Sequence, residues 1–240
     1  MATWIVHLRI ADEYIKRGLI PYKKEFSLGS VAPDCGYGEK DSCGDFSPPP
    51  DVTHWAPGGI KMYCEYWKFA SAYLQNKKHD SDYFFYLGYY IHLITDMMWS
   101  IMVYNPSVEK YKEEFRRDPG FLKTIKVDWY DLDYKFLRDN PSFIPYKYIK
   151  NAGNVPDYLP YYEPGQLTTQ IKYIYDYYSD PGSRVLDREY AYLTEKTISD
   201  FIKCAVELID FDLKKKGFLD IGEEHMQHRR SSVSGRSRIA

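Results

Sequence analysis

"YFFYLGYYIHLITDMMWSIMV", residues 83–103, is the most apolar stretch of the chain, and it decides how the rest is read. About 20 apolar residues are enough for a helix to cross a bilayer. His92 and Asp96 stand near the centre of this run, and a spacing of four places them one above the other on the same helix face. A carboxylate at mid-bilayer is costly, and no flanking Lys/Arg cluster or second such run accompanies this one. The run therefore reads as a central helix over residues 82–104. It is buried on all sides by other helices and stops at Asn105 and Pro106.

Working outward, Trp4, Ile5, Leu8, Ala11 and Ile15 recur with a helical period, which predicts a helix over residues 3–17 with His7 facing inward beside Ile10, Ala11 and Tyr14. A short helix is expected around residues 21–28. Residues 29–61 are rich in Gly, Pro, Ser and Asp and read as loop. Loops longer than about 12–15 residues inside a compact domain are usually functional. Helical patterns resume over residues 62–76, 108–117 and 121–138. A proline-containing loop at 151–165 follows, and helices over 166–178 and 188–216 close the chain. No alternating strand pattern persists. The expected fold is all-α: a single helical domain over residues 1–217, with a long ligand-bearing loop between the first helices and the central buried helix. Residues 218–240 are basic, Ser-rich and expected to be a disordered tail.

Composition narrows the function. At 240 residues the chain suits one domain with a sizeable core. A net charge of -2 carries no nucleic-acid footprint. The 25 tyrosines are read mainly as filling half-buried helical surface, with base stacking or a cationic headgroup as the alternative use. Cys35, Cys43, Cys64 and Cys204 form no C-x-x-C pair and no disulfide framework. The N-terminal stretch has no basic n-region or small-residue cleavage site and reads as a helix, so reduced thiols and a cytoplasmic location are expected.

Five residues of metal-binding type are placed to converge. His7 lies inward on the first helix, and His92 and Asp96 share a face of the central one. Asp34 and His54 come from the long loop, where prolines at 33, 48–50 and 57 reduce the entropy of holding them in place. Imidazole and carboxylate donors without thiolate suit zinc or a similar borderline cation. Gly88, one turn before His92, is expected to clear space for metal or substrate.

The segments "MATWIVHLRIAD" (1–12), "LGSVAPDCG" (28–36), "VTHWAP" (52–57) and "YLGYYIHLITD" (86–96) resemble the zinc-dependent phospholipase C family, which is related in fold to single-strand-specific zinc nucleases. The resemblance covers about residues 1–104. It implies a hydrolase of phosphate esters, a phosphodiesterase or phospholipase C, in which hydroxide held by metal attacks phosphorus. It assigns His7 to one metal, Asp34, His54 and His92 to a second, and Asp96 to both. Asp34 and Asp96 are then the catalytic residues, Asp34 also matching a general-base candidate.

Two departures from the family pattern stand out. Secreted members use a processed N-terminal tryptophan as ligand, whereas here removal of Met1 would expose Ala2, with Trp4 three residues before His7. Trinuclear members add a later His and a His-x-x-x-Glu, and none of His79, His225 and His228 fits. Two zinc ions are therefore expected, a third site being absent or supplied by carboxylates such as Asp128 and Asp131 in "DWYDLDY". The simpler reading of that run is a solvated helix face. His79–Asp80 matches the dyad of HD phosphohydrolases but sits in a polar connector, where Asp80, Ser81 or Asp82 reads as a helix cap. The expected partner is a phosphate ester, either a phospholipid or a soluble phosphodiester. A nuclease-type phosphodiesterase and a non-catalytic helical binding or scaffold module with a degenerate metal site are the alternatives. A phospholipid would require an apolar or aromatic rim around the cleft, and a nucleic acid a stacking platform and basic groove.

Overall fold

The computed structural model describes residues 1–38 and 46–222. Cys43, Glu224, His225, His228 and most of the expected tail lie outside the described residues. The fold is all-α, with one two-stranded antiparallel ribbon in which Tyr37 pairs with Ser47 and Gly38 with Phe46. No described helix is long and apolar enough to cross a membrane.

Helix α1 (Trp4–Lys16) starts at Thr3, whose hydroxyl accepts from the Val6 amide, and buries His7 among Ile5, Val6, Leu8, Ile10 and Ala11. Helix α2 (Lys23–Gly29) crosses the central helix α5 (Ser81–Trp99) at very close range. A Cβ on Gly29 would lie 2.0 Å from the Phe85 carbonyl oxygen, and one on Gly88 would lie 2.2 Å from that of Phe26. Contrary to expectation, Gly88 does not clear space for metal or substrate; the α2 backbone fills that space. Only two facing glycines allow this approach.

Helix α5 begins at Asp80, whose carboxylate accepts from the Tyr83 amide, and is buried on nearly every side. His79 stacks on Tyr83, so the His79–Asp80 pair serves the helix start. The helix does not stop at Asn105–Pro106. A π-helical turn, Ser100–Tyr104, leads into α6 (Asn105–Lys110). Pro106 falls in the first turn of that helix, where its missing N–H leaves no bond unmade.

The long loop holds β1 (Tyr37–Gly38), β2 (Phe46–Ser47), the single-turn helix α3 (Pro50–Thr53) and 3-10 turns at Ala32–Asp34, Pro57–Gly59 and Lys61–Tyr63. Helix α4 (Tyr66–Tyr73) starts later than the expected 62, because Cys64 is extended (φ -56°, ψ 127°) and separates it from the Lys61–Tyr63 turn. Buried tyrosines tether the loop. Tyr89 donates to the Thr53 carbonyl, Tyr161 to the Tyr89 hydroxyl (2.8 Å) and Tyr162 to the Ala32 carbonyl (2.6 Å). Gln166 adds bonds to the Cys35 and Ser47 carbonyls (2.9 and 2.7 Å).

The second half comprises α7 (Lys112–Arg117), α8 (Phe121–Asp139), α9 (Ile144–Lys150), α10 (Gln166–Ser179) and α11 (Glu195–Lys216). The pattern expected over 108–117 divides at Tyr111, and α9 occupies a stretch that periodicity left unassigned. Helix α11 begins at Thr194, whose side chain accepts from the Thr197 amide, and not at 188. Packing continues past the expected boundary at 217. Phe218, Leu219 and Ile221 are buried, and the Phe218 carbonyl accepts from Tyr83 (2.6 Å).

Candidate metal centre

All five residues singled out in the sequence meet at one place. Asp34, from the Ala32–Asp34 turn, His54, just after α3, and His92 and Asp96, on α5, each offer an atom within 4.8 Å of the others. His54 Nε2 lies 3.1 Å from Asp34 Oδ1 and 3.5 Å from Asp96 Oδ2. His92 Nε2 lies 3.6 Å from Asp96 Oδ2 and 3.3 Å from His54 Nε2. His7 approaches from the opposite side, its ring stacked on that of His92 with centroids 3.6 Å apart and its Nε2 3.3 Å from Asp96 Oδ1. The Ala2 amide nitrogen donates to the same Oδ1 at 2.7 Å. The two oxygens of Asp96 therefore face different sets of donors.

Each ring is aimed from behind. His92 Nδ1 donates to the Ser30 carbonyl at 2.8 Å; a carbonyl can only accept, so Nε2 carries the lone pair of the neutral ring. The close α2–α5 crossing brings Ser30 there. His54 Nδ1 is bonded to Thr53 Oγ1 (2.9 Å), and Cys64 Sγ donates to the His54 carbonyl (3.0 Å). Neither buried nitrogen of His7 makes a well-aligned hydrogen bond: Nδ1 has no partner and Nε2 meets only Asp96 Oδ1, at 3.3 Å. Such an orphan costs on the order of 1–3 kcal/mol per group.

Burial sets the charges. Desolvation, with the neighbouring His92, pushes the pKa of His7 down to about 4, and desolvation with the Lys61 charge does the same for His54. Both rings are neutral at pH 7, as metal coordination requires. Burial opposes ionisation of Asp34 and Asp96, but the Lys61 ammonium and the histidine bonds hold both well below the usual carboxylate range. Two imidazoles and two carboxylates around one point match the donor set of zinc.

Lys61 was missed in the sequence. Its Nζ lies 2.6 Å from Asp96 Oδ2 and 3.6 Å from Asp34 Oδ1, and its side chain is buried. The signal was only that Lys61 follows one proline and two glycines, Pro57, Gly58 and Gly59, at the end of the loop. Asp34 and His54 of the cluster, with Lys61, line a cavity of about 610 Å³ whose wall also includes Trp4, Trp129, Tyr130, Tyr173 and Lys126.

Residues 6–106 match the family model described as zinc dependent phospholipase C. All four residues of the Asp34–His54–His92–Asp96 cluster, and His7, fall inside the matched segment. No curated protein and no solved structure matches the chain. Together, the zinc dependent phospholipase C segment and the Asp/His cluster support a metal-dependent phosphoesterase.

The second-half carboxylates do not join this site. Asp128, Asp131 and Asp133 are buried, so "DWYDLDY" is not a solvated face. Arg188 Nη2 bonds both Asp128 and Asp131 at 2.7 Å, Arg184 Nη1 bonds Asp131 at 2.6 Å, and the Tyr192 amide bonds Asp128 at 2.7 Å. Arginine occupies the oxygens that a third metal would need, so the expectation of a carboxylate-built third site is withdrawn. Asp133 instead accepts from Thr3 Oγ1 (2.9 Å) and Tyr178 (2.6 Å), joining α8 to the start of α1.

Proposed function

We propose that this protein is a phosphodiesterase of phospholipase C type whose centre holds two zinc ions. The carrying observation is the split of Asp96. Oδ2 faces Asp34, His54 and His92 and also takes the Lys61 ammonium at 2.6 Å, while Oδ1 faces His7 and accepts from the Ala2 amide. Asp34, His54, His92 and Asp96 would hold one ion, and His7 and Asp96 the other. The buried His7 nitrogens, neither in a well-aligned hydrogen bond, fit this assignment, since a metal bond supplies the partner the fold withholds. Bound zinc supplies Lewis acidity toward phosphoryl oxygens and a water of lowered pKa.

The chain's own residues supply the remainder. Ser30 and Thr53 fix the ring orientations, a kind of support whose loss typically costs 10–100-fold in metal affinity or activity, in order of magnitude. Asp34, at the cavity wall and ionised, is placed to orient a water beside the phosphorus or to take its proton. The buried cluster limits bulk water and strengthens every charge interaction there. The rim favours an amphiphilic ester: Phe46 and Tyr173 line the cavity and remain 43% and 53% exposed, and Ile60 beside Lys61 is 52% exposed. The test is release of phosphorylated headgroup from phospholipid vesicles by zinc-loaded protein and by Asp96→Asn. Release that depends on zinc and disappears in Asp96→Asn is expected; equal release by both would reject this function.

A further inference from the structure

The cavity beside the cluster carries two lysine ammonium groups, besides the Met1 amine, and little negative charge. Among the described residues that line it, Asp34 is the sole carboxylate, and it is turned to His54 and Lys61. Lys61 grips Asp96 and faces the cavity. Lys126, on α8, also lines the cavity and has no hydrogen bond or ion pair with any described residue. It sits close enough to Asp34, Asp96 and Lys61 to feel their charges, and burial lowers its pKa. A partly desolvated ammonium without a counter-ion, aimed into a cavity, is costly unless a ligand brings the anion.

We infer that Lys61 and Lys126 are substrate-binding residues that hold phosphoryl and headgroup oxygens, and that they make the site select net-anionic phosphodiesters, such as a lipid with an uncharged polyol headgroup, over zwitterionic ones with a quaternary ammonium. This inference rests on the phosphodiesterase reading above. Lys61, tied to Asp96, is placed beside the reacting phosphate. Lys126 lines the same cavity from α8 and is the specificity-determining residue. A headgroup cation entering the same cavity would meet Lys126 with no described acid beyond Asp34 to offset it. The aromatic wall is the opposing influence, since rings attract quaternary ammonium groups. Here, however, Trp4 stands edge-on against Tyr173, Tyr177 and Tyr178, with centroids 6.2, 5.7 and 6.0 Å away, so these rings form a packed wall suited to glycerol and acyl carbons.

The test compares two water-soluble lipids, dihexanoyl phosphatidylglycerol and dihexanoyl phosphatidylcholine. Binding to the zinc-loaded full chain is followed by the fluorescence of cavity tryptophans 4 and 129, and headgroup release is measured separately. The expected result is tighter binding of the glycerol lipid by roughly fivefold or more, a preference that fades as salt screens the charges. Lys126→Ala should abolish the preference, and Lys126→Arg should keep it. Equal binding of the two lipids, tighter binding of the choline lipid, binding of neither, or a preference unchanged in Lys126→Ala would each overturn the inference. Preferential binding without release of either headgroup would instead overturn the phosphodiesterase reading and leave the charge selection standing.

Discussion

Two clusters of buried carboxylates sit in the two halves of this molecule, and they are finished in opposite ways. In the second half, Asp128 and Asp131 receive Arg184, Arg188 and the Tyr192 amide, so their oxygens are occupied by donors and the charge is balanced inside the fold. In the first half, Asp34 and Asp96 face three imidazoles and a single lysine, and His7 keeps two buried nitrogens without a well-aligned hydrogen bond. Both clusters bury acids, but only one surrounds them with lone pairs. Arginine cannot give up its proton or coordinate a cation, so an Asp–Arg network is a closed structural element. Neutral histidine can coordinate a cation, so the first cluster offers a place where one can bind. The chemistry of a carboxylate cluster therefore lies in its partners, not in its count of acids.

Removing one member from each cluster should break different properties. Asp96→Asn should lower hydrolysis by on the order of 10³-fold, with zinc lost from the protein, while the helical fold persists by circular dichroism. Arg188→Ala should leave zinc content unchanged but cost about 3 kcal/mol in denaturant unfolding, because two buried carboxylates lose a shared partner. A zinc loss in Arg188→Ala comparable to that in Asp96→Asn would erase the distinction between the clusters. Gly88→Ala couples fold to site: its Cβ would press on the Phe26 carbonyl and push Ser30 from His92, so a loss of about 2 kcal/mol and weaker zinc retention are expected together.

Asp133 offers a pH test. Burial outweighs the bonds from Tyr178 and Thr3 and the charge of Arg9, raising its pKa to about 7. The folded state then holds a proton that the unfolded chain releases near pH 4, so Asp133 lowers stability as pH rises from about 4 to about 7, by at most ~1.4 kcal/mol per pH unit. Unfolding of Asp133→Asn across that range should lack this contribution; an identical slope in both proteins would contradict it. The smallest effect is reserved for Asp80→Ala, which should cost about 1 kcal/mol as a lost helix cap and leave hydrolysis unchanged.

The central helix and the residues of the candidate metal centre were legible because buried polar residues at a spacing of four are conspicuous in an apolar run. Proline density likewise marked the loop carrying Asp34 and His54. What stayed hidden depends on tertiary neighbours. Lys61 is one lysine among many until the Lys61–Tyr63 turn swings it onto Asp96. Gly88 reads as open space from one helix alone, and only the crossing of α2 shows that backbone occupies it. The acids of α8 read as a solvent face because the arginines that cover them come from an irregular segment more than 50 residues away, with 53 positions between Asp131 and Arg184. The helix beyond Tyr104 was hidden by Pro106, which stops a helix from its interior but not from its first turn.

The claim on which the functional reading stands is that the open cluster holds metal and the closed one does not. Elemental analysis of the purified chain after zinc loading and removal of free metal tests it directly, at pH 7 and again at pH 5. Because burial holds His7 and His54 near pKa 4, two zinc ions per chain are predicted at both pH values, and fewer than two in Asp96→Asn. Wild-type protein that retains no zinc at pH 7, or Asp96→Asn that retains as much as wild type, would contradict it.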